Sequence, residues 1–346
     1  MYREKVLVVF VHLGNNPSHL LIPFALQASS TLERAEVVLI TDIPKNWINF
    51  PGKVIEYVRT KEFSSLVRIL ESRPQLLDIA SGYWFYTLER IFALSVLSKH
   101  YDSDYKMLHF ESDVFSNIDE VAFDLIFGNF QTTAVPRLNS SEAVGSIIFS
   151  PNLNELDLSL HKLNMILIEN NKLENDMKLL GKALNNGSLI EISTSLSESV
   201  FTDKNDQISY AVDGAALGQY LLGQDPIHTK NRVISGYQNP SFSTDLARCK
   251  WKIKFLRDKF WIVVTYKDND YYLVNLHNHS KRILEPIHKD SVFWNRIIDE
   301  ANGDIARKEG EYAEEVIHSK PYKFETKLRN VIEIGVLKYL IQKFKA

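Results

Sequence analysis

Cysteine is almost missing from this chain of 346 residues, which contains only Cys249. One cysteine cannot form an intrachain disulfide or build a zinc site from thiolates, and such scarcity is typical of a reducing cytoplasm. Any metal that the protein holds must therefore be bound by oxygen and imidazole ligands.

Long apolar runs and an excess of one charge are missing as well. No run approaches the ~18 apolar residues of a membrane-spanning helix. The 40 Lys and Arg residues nearly balance the 43 Asp and Glu residues, which gives a net charge of −3. A positive electrostatic field that would attract nucleic acid is therefore not expected. The sequence predicts a cytoplasmic protein with neither a transmembrane anchor nor a nucleic-acid partner.

What is present is an ordinary globular composition, with 45% hydrophobic and 24% charged residues. Over the first 150 residues, short β-branched runs alternate with amphipathic stretches, which is typical of an α/β fold with a mostly parallel sheet flanked by helices. The patterns predict strands at 5–11, 35–41, 53–58, 106–111, 132–136, 145–150, 260–265 and 270–276. They predict helices at 83–100, 211–222, 289–302 and 323–345, one or two helices over 152–184, and an exposed loop at 185–207.

No internal repeat and no linker rich in Pro, Gly or Ser divides the chain. We therefore predict one domain over residues 1–288 and a helical C-terminal extension over 289–346. The end of this extension is basic, because residues 320–346 hold seven Lys or Arg and two Glu. Such a helix suits peripheral contact with an anionic membrane, and its broad apolar surface suits packing on the domain or homodimerisation equally well.

Two carboxylates follow the predicted strand in the segment MLHFESDV (107–114). Alternation along an extended chain points Glu111 and Asp113 to the same side, at the carboxyl edge of the sheet where α/β folds bind ligands. Two hard oxygen ligands suit Mg²⁺ or Mn²⁺ and leave coordination positions for phosphate. The alternative is a solvated acidic turn.

A second polar cluster, NLHNHSK (275–281), follows a later strand. His277 and His279 are two residues apart and point the same way on an extended segment, and Ser280 and Lys281 suit phosphate. One imidazole could complete a metal site with the carboxylates. The alternative is a polar surface turn.

These motifs and their order resemble the GT-A glycosyltransferases. The resemblance covers roughly residues 5–285 and is closest to bacterial sugar transferases. Glu111 departs from the commonest Asp-X-Asp form of the acidic motif. The motifs are VLVVFVHLGNNPSHL (6–20), VVLITD (37–42), YTLERIFAL (86–94), HFESDV (109–114), DGAALGQYLLG (213–223) and NLHNHSK (275–281).

The resemblance implies a Mn²⁺ or Mg²⁺ site in which Asp113 binds the metal directly. Glu111 would reach the metal through water or hold the donor ribose, and Ser112 lies between them in the donor site. His277 or His279 would complete the metal site, with His279 slightly preferred because it adjoins Ser280 and Lys281. Lys281 would contact the diphosphate, unless it is a solvated surface lysine.

The resemblance also implies a nucleotide site at the ends of the first two strands. His12, Leu13 and Gly14 would contact the base, although their segment also suits a plain turn. Asp42 would meet the nucleoside or cap the next turn. Arg90 would approach the diphosphate or pair with a neighbouring acid such as Glu89.

Asp213 begins an apolar helix, where an acid commonly caps the N-terminus. The resemblance places this position near the donor sugar and the acceptor. Asp213 would then act as the general base of an inverting transferase or stabilise the cationic sugar of a retaining one.

The sequence thus predicts a metal-dependent glycosyltransferase. It would move a sugar from a nucleotide-diphosphate donor to a glycan or lipid-linked acceptor in bacterial surface polysaccharide synthesis. A UDP-sugar is the first candidate for the donor. The alternatives are a sugar nucleotidyltransferase and a noncatalytic carbohydrate-binding or scaffold protein. The loop after the first strand lacks the Lys and Arg typical of a nucleotidyltransferase.

Overall fold

A computed structural model describes residues 4–14, 20–45, 48–58, 71–72, 83–169, 175–196, 201–223, 236–279 and 291–302. These residues belong to one compact unit, which extends from Met1 to Asp304. The remainder, Ile305–Ala346, is a second unit and lies outside the described residues, as does the predicted basic helix.

Within the described ranges the strands are β1 (Val6–His12), β2 (Ala35–Thr41), β3 (Lys53–Glu56), β4 (Lys106–Phe110), β5 (Val114–Ser116), β6 (Ala134–Pro136), β7 (Ile147–Ser150), β8 (Ile190–Ile192), β9 (Phe201–Asp203), β10 (Ile208–Ala211), β11 (Lys250–Leu256), β12 (Lys259–Tyr266), β13 (Asn269–Leu273) and β14 (Asn275–His277). The α-helices are α1 (Leu21–Thr31), α2 (Tyr83–Ala93), α3 (Glu120–Phe127), α4 (Leu153–Glu169), α5 (Asp176–Asn185), α6 (Ala216–Leu222) and α7 (Ser291–Asn302).

The larger sheet has seven strands in the order β3-β2-β1-β4-β7-β6-β8. Strands β1 to β4 are parallel, β7 is antiparallel to both of its neighbours, and β6 and β8 are parallel. The predicted α/β class with a mostly parallel sheet is therefore confirmed.

Strand β1 shows why this sheet forms at the centre. Its run VLVVFV is buried on both faces, which explains an unbroken apolar sequence in place of alternation. Val8 and Phe10 pack with α1, α3 and the second sheet, whereas Leu7 and Val9 pack with α2, α4 and α5. Helices thus cover both faces and leave the strand ends open to build a site.

The second sheet has five strands in the order β11-β12-β13-β10-β9. The hairpin turns at Arg257-Asp258 and Lys267-Asp268 have φ between +49° and +62°, as two-residue hairpins that match the strand twist require. The predicted hairpin around residues 267–269 is confirmed. Strand β11 was not predicted, although lysines and apolar residues alternate in its sequence KWKIKFL as they do in a half-buried strand.

Two other predictions about local structure are wrong in part. The stretch 185–207 is not wholly an exposed loop, since it contains β8 and β9. The helix predicted at 211–222 begins later, at Ala216, because the chain up to Ala211 belongs to β10, whose residues 209–211 pair with β13.

A short antiparallel ribbon joins distant parts of the chain. The strand predicted at 270–276 divides at Val274, where β14 leaves the second sheet and pairs with β5. In this register His277 lies opposite Val114. The ribbon therefore carries the late histidine cluster to the carboxyl end of β4.

Helix α7 packs on this unit, although it lies beyond the boundary predicted at residue 288. Trp294 and Ile297 are fully buried, and the side-chain amide of Asn302 bonds the backbone N and O of Trp251 in β11. The division of the chain at 288 stays a prediction. Among the described residues, no helix is both long and apolar enough to cross a membrane.

Candidate active site

The two acidic residues lie in a turn directly after β4. The strand ends at Phe110; the amide of Glu111 then donates to Ser146 O (3.1 Å), and the amide of Val114 donates to Glu111 O (3.0 Å). The predicted reason for their convergence, alternation along a strand, is therefore wrong. The turn itself brings Glu111 and Asp113 together.

His277 completes a cluster with these carboxylates, which we call the site cluster: Glu111, Asp113 and His277. The imidazole Nε2 lies 3.2 Å from Glu111 Oε2 and 3.4 Å from Asp113 Oδ1. The amide of Asn278 donates to Asp113 O at 2.8 Å and secures the crossing of the two segments. One ligand atom from each residue of the site cluster lies within 4.8 Å of the others.

Arg90 supplies a cation beside this cluster. It projects from α2 and forms an ion pair with Glu111. The side chain of Arg90 is 16% exposed and that of Glu111 is 14% exposed. Burial raises the pKa of Glu111, but Arg90 and His277 outweigh burial and lower it to about 2. Glu111 is thus ionised at neutral pH.

The imidazole of His277 is nearly buried, with 4% exposed. Burial lowers its pKa, but the carboxylates of Asp113 and Glu111 reverse this effect and raise it to about 10. The two carboxylates therefore create a position that strongly favours positive charge.

The predicted nucleotide loop lies at the adjacent ends of β1 and β2. His12 Nε2 is 3.1 Å from Gly14 O, and the amide of Gly14 donates to Asp42 Oδ1 at 2.9 Å. Gly14 has a φ of +104°, which favours glycine here. Leu13 packs against the core. The structure thus brings together His12, Gly14 and Asp42, and Asp42 holds the loop.

Of three further predicted residues, the structure describes Ser112 and His279 but not Lys281. Ser112 is partly buried in the acidic turn, and His279 stacks on His277 with ring centroids 3.7 Å apart. His277, and not the slightly preferred His279, belongs to the site cluster. Lys281 lies outside the described residues.

Asp213 is fully buried, and both of its oxygens accept backbone hydrogen bonds. Burial raises the pKa of its carboxyl, whereas backbone amides, beginning with that of His277, lower it. This geometry favours the capping alternative over a catalytic role, which stays a prediction.

Sequence analysis missed Asp176 and His109. Asp176 is the first residue of α5 and is 4% exposed. Burial raises its pKa to about 6, with Arg90 opposing the rise and Glu111 adding to it. His109 is fully buried, its Nδ1 lies 2.9 Å from Val9 O, and burial lowers its pKa to about 3. The pair Asn175-Asp176 before an apolar-periodic stretch marks a helix start but does not reveal the nearby Arg90.

Some solved structures match part of this chain. GlyE, a glycosyltransferase of Streptococcus pneumoniae TIGR4, matches over 57% of this chain and 46% of its own, with 15% identity and a TM-score of 0.37. Mouse xyloside xylosyltransferase 1 matches over 54% and 84%, with 10% identity and a TM-score of 0.36.

A third match is a cytidylyltransferase of Leptospira borgpetersenii serovar Hardjo-bovis, over 57% of this chain and 79% of its own, with 13% identity and a TM-score of 0.31. The matched region spans less than half of the GlyE chain. No family model and no curated protein matches the sequence.

Proposed function

We propose that the protein is a metal-dependent glycosyltransferase that takes a sugar from a nucleotide-diphosphate donor. The observation that carries this proposal is the site cluster, two carboxylates and an imidazole within 4.8 Å of one another. The cluster follows β4 at the carboxyl edge of the parallel strands, where α/β sheets bind their ligands.

The site cluster fits a divalent cation. Carboxylate oxygens with one imidazole suit Mn²⁺ and Mg²⁺. The two carboxylates raise the pKa of His277 to about 10, and a bound cation would take the place of the imidazole proton. Asp113 and His277 would hold the cation, with Glu111 beside it. A bound cation would neutralise the charge that develops on the leaving diphosphate.

Arg90 and the β1–β2 edge supply the rest of a donor site. Arg90 is a fixed, partly buried cation next to Glu111, so it can stabilise a diphosphate without reorganising. The loop secured by Asp42 presents His12 and Gly14 at the same edge of the sheet, in a position to contact the base and ribose. A UDP-sugar is the donor that we propose to test first.

The acceptor that we propose is a glycan or a lipid-linked saccharide in bacterial surface polysaccharide synthesis. The basic segment 320–346 would keep the enzyme at an anionic membrane, where lipid-linked acceptors are held. Co-sedimentation with phosphatidylserine vesicles tests this part, because removal of residues 320–346 should weaken binding and added salt should screen it. Equal sedimentation of both proteins would indicate packing or dimerisation instead.

A sugar nucleotidyltransferase is the second candidate. Such an enzyme holds a triphosphate substrate with basic side chains in the loop after the first strand, whereas residues 12–20 contain no Lys or Arg. The glycosyltransferase proposal therefore accounts better for this loop.

The test is calorimetry of the full chain with a panel of nucleotide diphosphates and their sugars, with and without Mn²⁺. We expect Mn²⁺-dependent binding of one nucleotide, and its loss in Asp113→Ala. Asp124→Ala, at an exposed position in α3, is the matched control and should bind as wild type does. Metal-dependent affinity that is unchanged in a folded Asp113→Ala protein would overturn the proposal.

A further inference from the structure

The carboxylate of Asp213 joins two separate elements of the fold. Its Oδ1 accepts hydrogen bonds from the amides of Ala215 (2.8 Å) and Leu217 (3.0 Å) at the start of α6. Its Oδ2 accepts from the amides of Gly218 (2.9 Å) and His277 (2.9 Å). One side chain therefore caps a helix and holds the backbone of a residue of the site cluster.

Asp213 cannot reach a substrate in this arrangement. Its exposure is 0%, and each oxygen already accepts two hydrogen bonds. A buried carboxylate is costly unless donors compensate its charge; four backbone amides offset part of that cost here, although burial still raises the pKa of the carboxyl above its usual value. Any influence on chemistry must pass through the groups that donate to it.

The surroundings of Asp213 are built for close approach. A Cβ at Gly218 would lie 2.2 Å from His277 O and 2.7 Å from Asp213 Oδ2, so only glycine lets α6 come this near to β14. The neighbouring Ala215 has a φ of +143°, a conformation that costs free energy for a residue with a side chain. The hydrogen bond from its amide to Asp213 helps to hold it.

Asn275 adds a second tether between the same elements. Its Oδ1 accepts from the amide of Asp213 (2.9 Å), and its Nδ2 donates to Asp213 O (2.7 Å). Asn275 and His277 both belong to β14. The strand that carries the imidazole is therefore fixed to residue 213 through both side chain and backbone.

We propose that Asp213 is a positioning residue, whose carboxylate fixes the backbone of His277 so that the imidazole meets Glu111 and Asp113. This inference rests on the proposed function, in which the site cluster holds a divalent cation. Groups that orient a metal ligand commonly change metal affinity 10- to 100-fold when they are removed. Asp213 acts here through the main chain of the ligand.

Asp213→Asn replaces one of the two carboxylate oxygens with an NH₂ group, so the contacts of Oδ1 and Oδ2 no longer change together. If the amide oxygen occupies the Oδ1 position, Ala215 and Leu217 keep their acceptor, while the amide NH₂ faces the donors of Gly218 and His277. If the amide is reversed, the cap of α6 loses its acceptor instead. Both orientations remove the charge that binds the His277 amide, and charge-assisted hydrogen bonds are the stronger kind.

The experiment is Mn²⁺ titration of the full-length protein followed by EPR, with thermal unfolding measured on the same samples. We expect Asp213→Asn to weaken Mn²⁺ affinity roughly 10-fold or more. Asp119→Asn is the matched control, because Asp119 also caps a helix, α3, through the amide of Ala122 and does not contact His277. Its Mn²⁺ affinity should equal that of wild type.

A folded Asp213→Asn protein with wild-type Mn²⁺ affinity would overturn the inference. If that variant does not fold, Asp213→Ser replaces it, because serine also caps helices but lacks the Oδ2 atom that accepts from the His277 amide, and unchanged Mn²⁺ affinity in a folded Asp213→Ser protein would overturn the inference equally. The proposed function fails separately, if wild type binds no Mn²⁺ or if Asp113→Ala keeps wild-type affinity. If Asp113→Ala loses Mn²⁺ binding while Asp213→Asn keeps wild-type affinity, only the positioning role is refuted.

Discussion

Two regions of this protein gather charged side chains, and they do so in opposite ways. In the site cluster, Glu111 and Asp113 face the same imidazole, and Arg90 is the cation beside them. In the second sheet, a group that we call the hairpin cluster surrounds Arg257: Asp119, Asp203, Asp206 and Tyr210.

The hairpin cluster gathers three acids around one guanidinium. Arg257 lies 2.7 Å from Asp203 and 3.6 Å from Asp119 and is 25% exposed, and it also pairs with the half-exposed Asp206. Nearby, Lys252 and Lys254 both pair with Asp270. Each acid therefore meets an opposite charge that is always present, which offsets the cost of bringing the acids together even where, as at Asp203, the side chain is only 10% exposed.

The site cluster holds two carboxylates, each 14% exposed, against one imidazole. The pKa of His277 rises to about 10 and that of the neighbouring Asp176 to about 6. Displaced pKa values mark a candidate for function, but the hairpin cluster has them too, since burial lowers the pKa of Lys259 beside Asp119 to about 8. What distinguishes the two regions is the group that the acids face, because the hairpin acids meet a guanidinium that is always charged, whereas the site acids meet an imidazole that can give up its proton.

The largest expected effect comes from Arg90→Ala. Loss of a fixed cation beside a leaving diphosphate should lower the rate of sugar transfer or donor hydrolysis about 10²- to 10³-fold. Steady-state kinetics with the donor found by calorimetry measures it. Arg257→Ala should keep the wild-type rate; equal rate losses in both variants would remove the distinction between the regions.

Asp176→Asn should stabilise the protein at neutral pH, since it removes a buried carboxylate. The folded pKa of Asp176 is about 6 and its ordinary value is 3.8, so the ionised form disfavours folding by up to about 3 kcal/mol. The gain in free energy of unfolding is therefore absent below pH 3.8, grows between pH 3.8 and 6, and is complete above pH 6. Urea unfolding at pH 4 and pH 7.5 measures it.

A gain in stability that is equal at both pH values would contradict this explanation. The control is Asp124→Asn, because the side chain of Asp124 is 59% exposed. The difference in free energy of unfolding between this variant and wild type should change little with pH.

Arg257→Ala should destabilise the protein by about 2 kcal/mol, because Asp203 and Tyr210 lose a common partner while remaining partly buried. Asp203 is 7% exposed, so water does not fully replace the guanidinium. Chemical unfolding gives the free energy. A rate loss as large as that of Arg90→Ala would show that the hairpin cluster also serves the reaction.

The smallest effect is expected for Asp270→Asn. Lys252 and Lys254 are about 40% exposed, and pairs of this kind contribute less than about 1 kcal/mol each. We expect a loss of free energy of unfolding below about 1.5 kcal/mol and an unchanged rate. Adding salt to wild type should reproduce part of this loss, and an effect insensitive to salt would contradict an electrostatic origin.

The α/β class can be predicted from local periodicity, because apolar runs such as 6–11 and amphipathic helices have distinct periods. The sequence also placed the acidic motif at a strand end and the hairpin turn near Lys267-Asp268. It carries a signal for β11 as well, which the prediction missed, since lysines and apolar residues alternate there. It did not show that residues 111–114 form a turn, because the bond from Glu111 to Ser146 O joins residues that are distant in sequence.

Which residues meet in the site depends on contacts between distant segments of the chain. Local pattern indicates that residues 275–281 are polar and that Asp213 starts a helix, but pairing of β14 with β5 selects His277 as the partner of Glu111 and Asp113. Packing of α6 on β14 likewise turns Asp213 into a buried acceptor of the His277 amide. Local periodicity depends on neighbouring residues, whereas these contacts join segments more than 60 residues apart, and their partners exist only once the sheets have assembled.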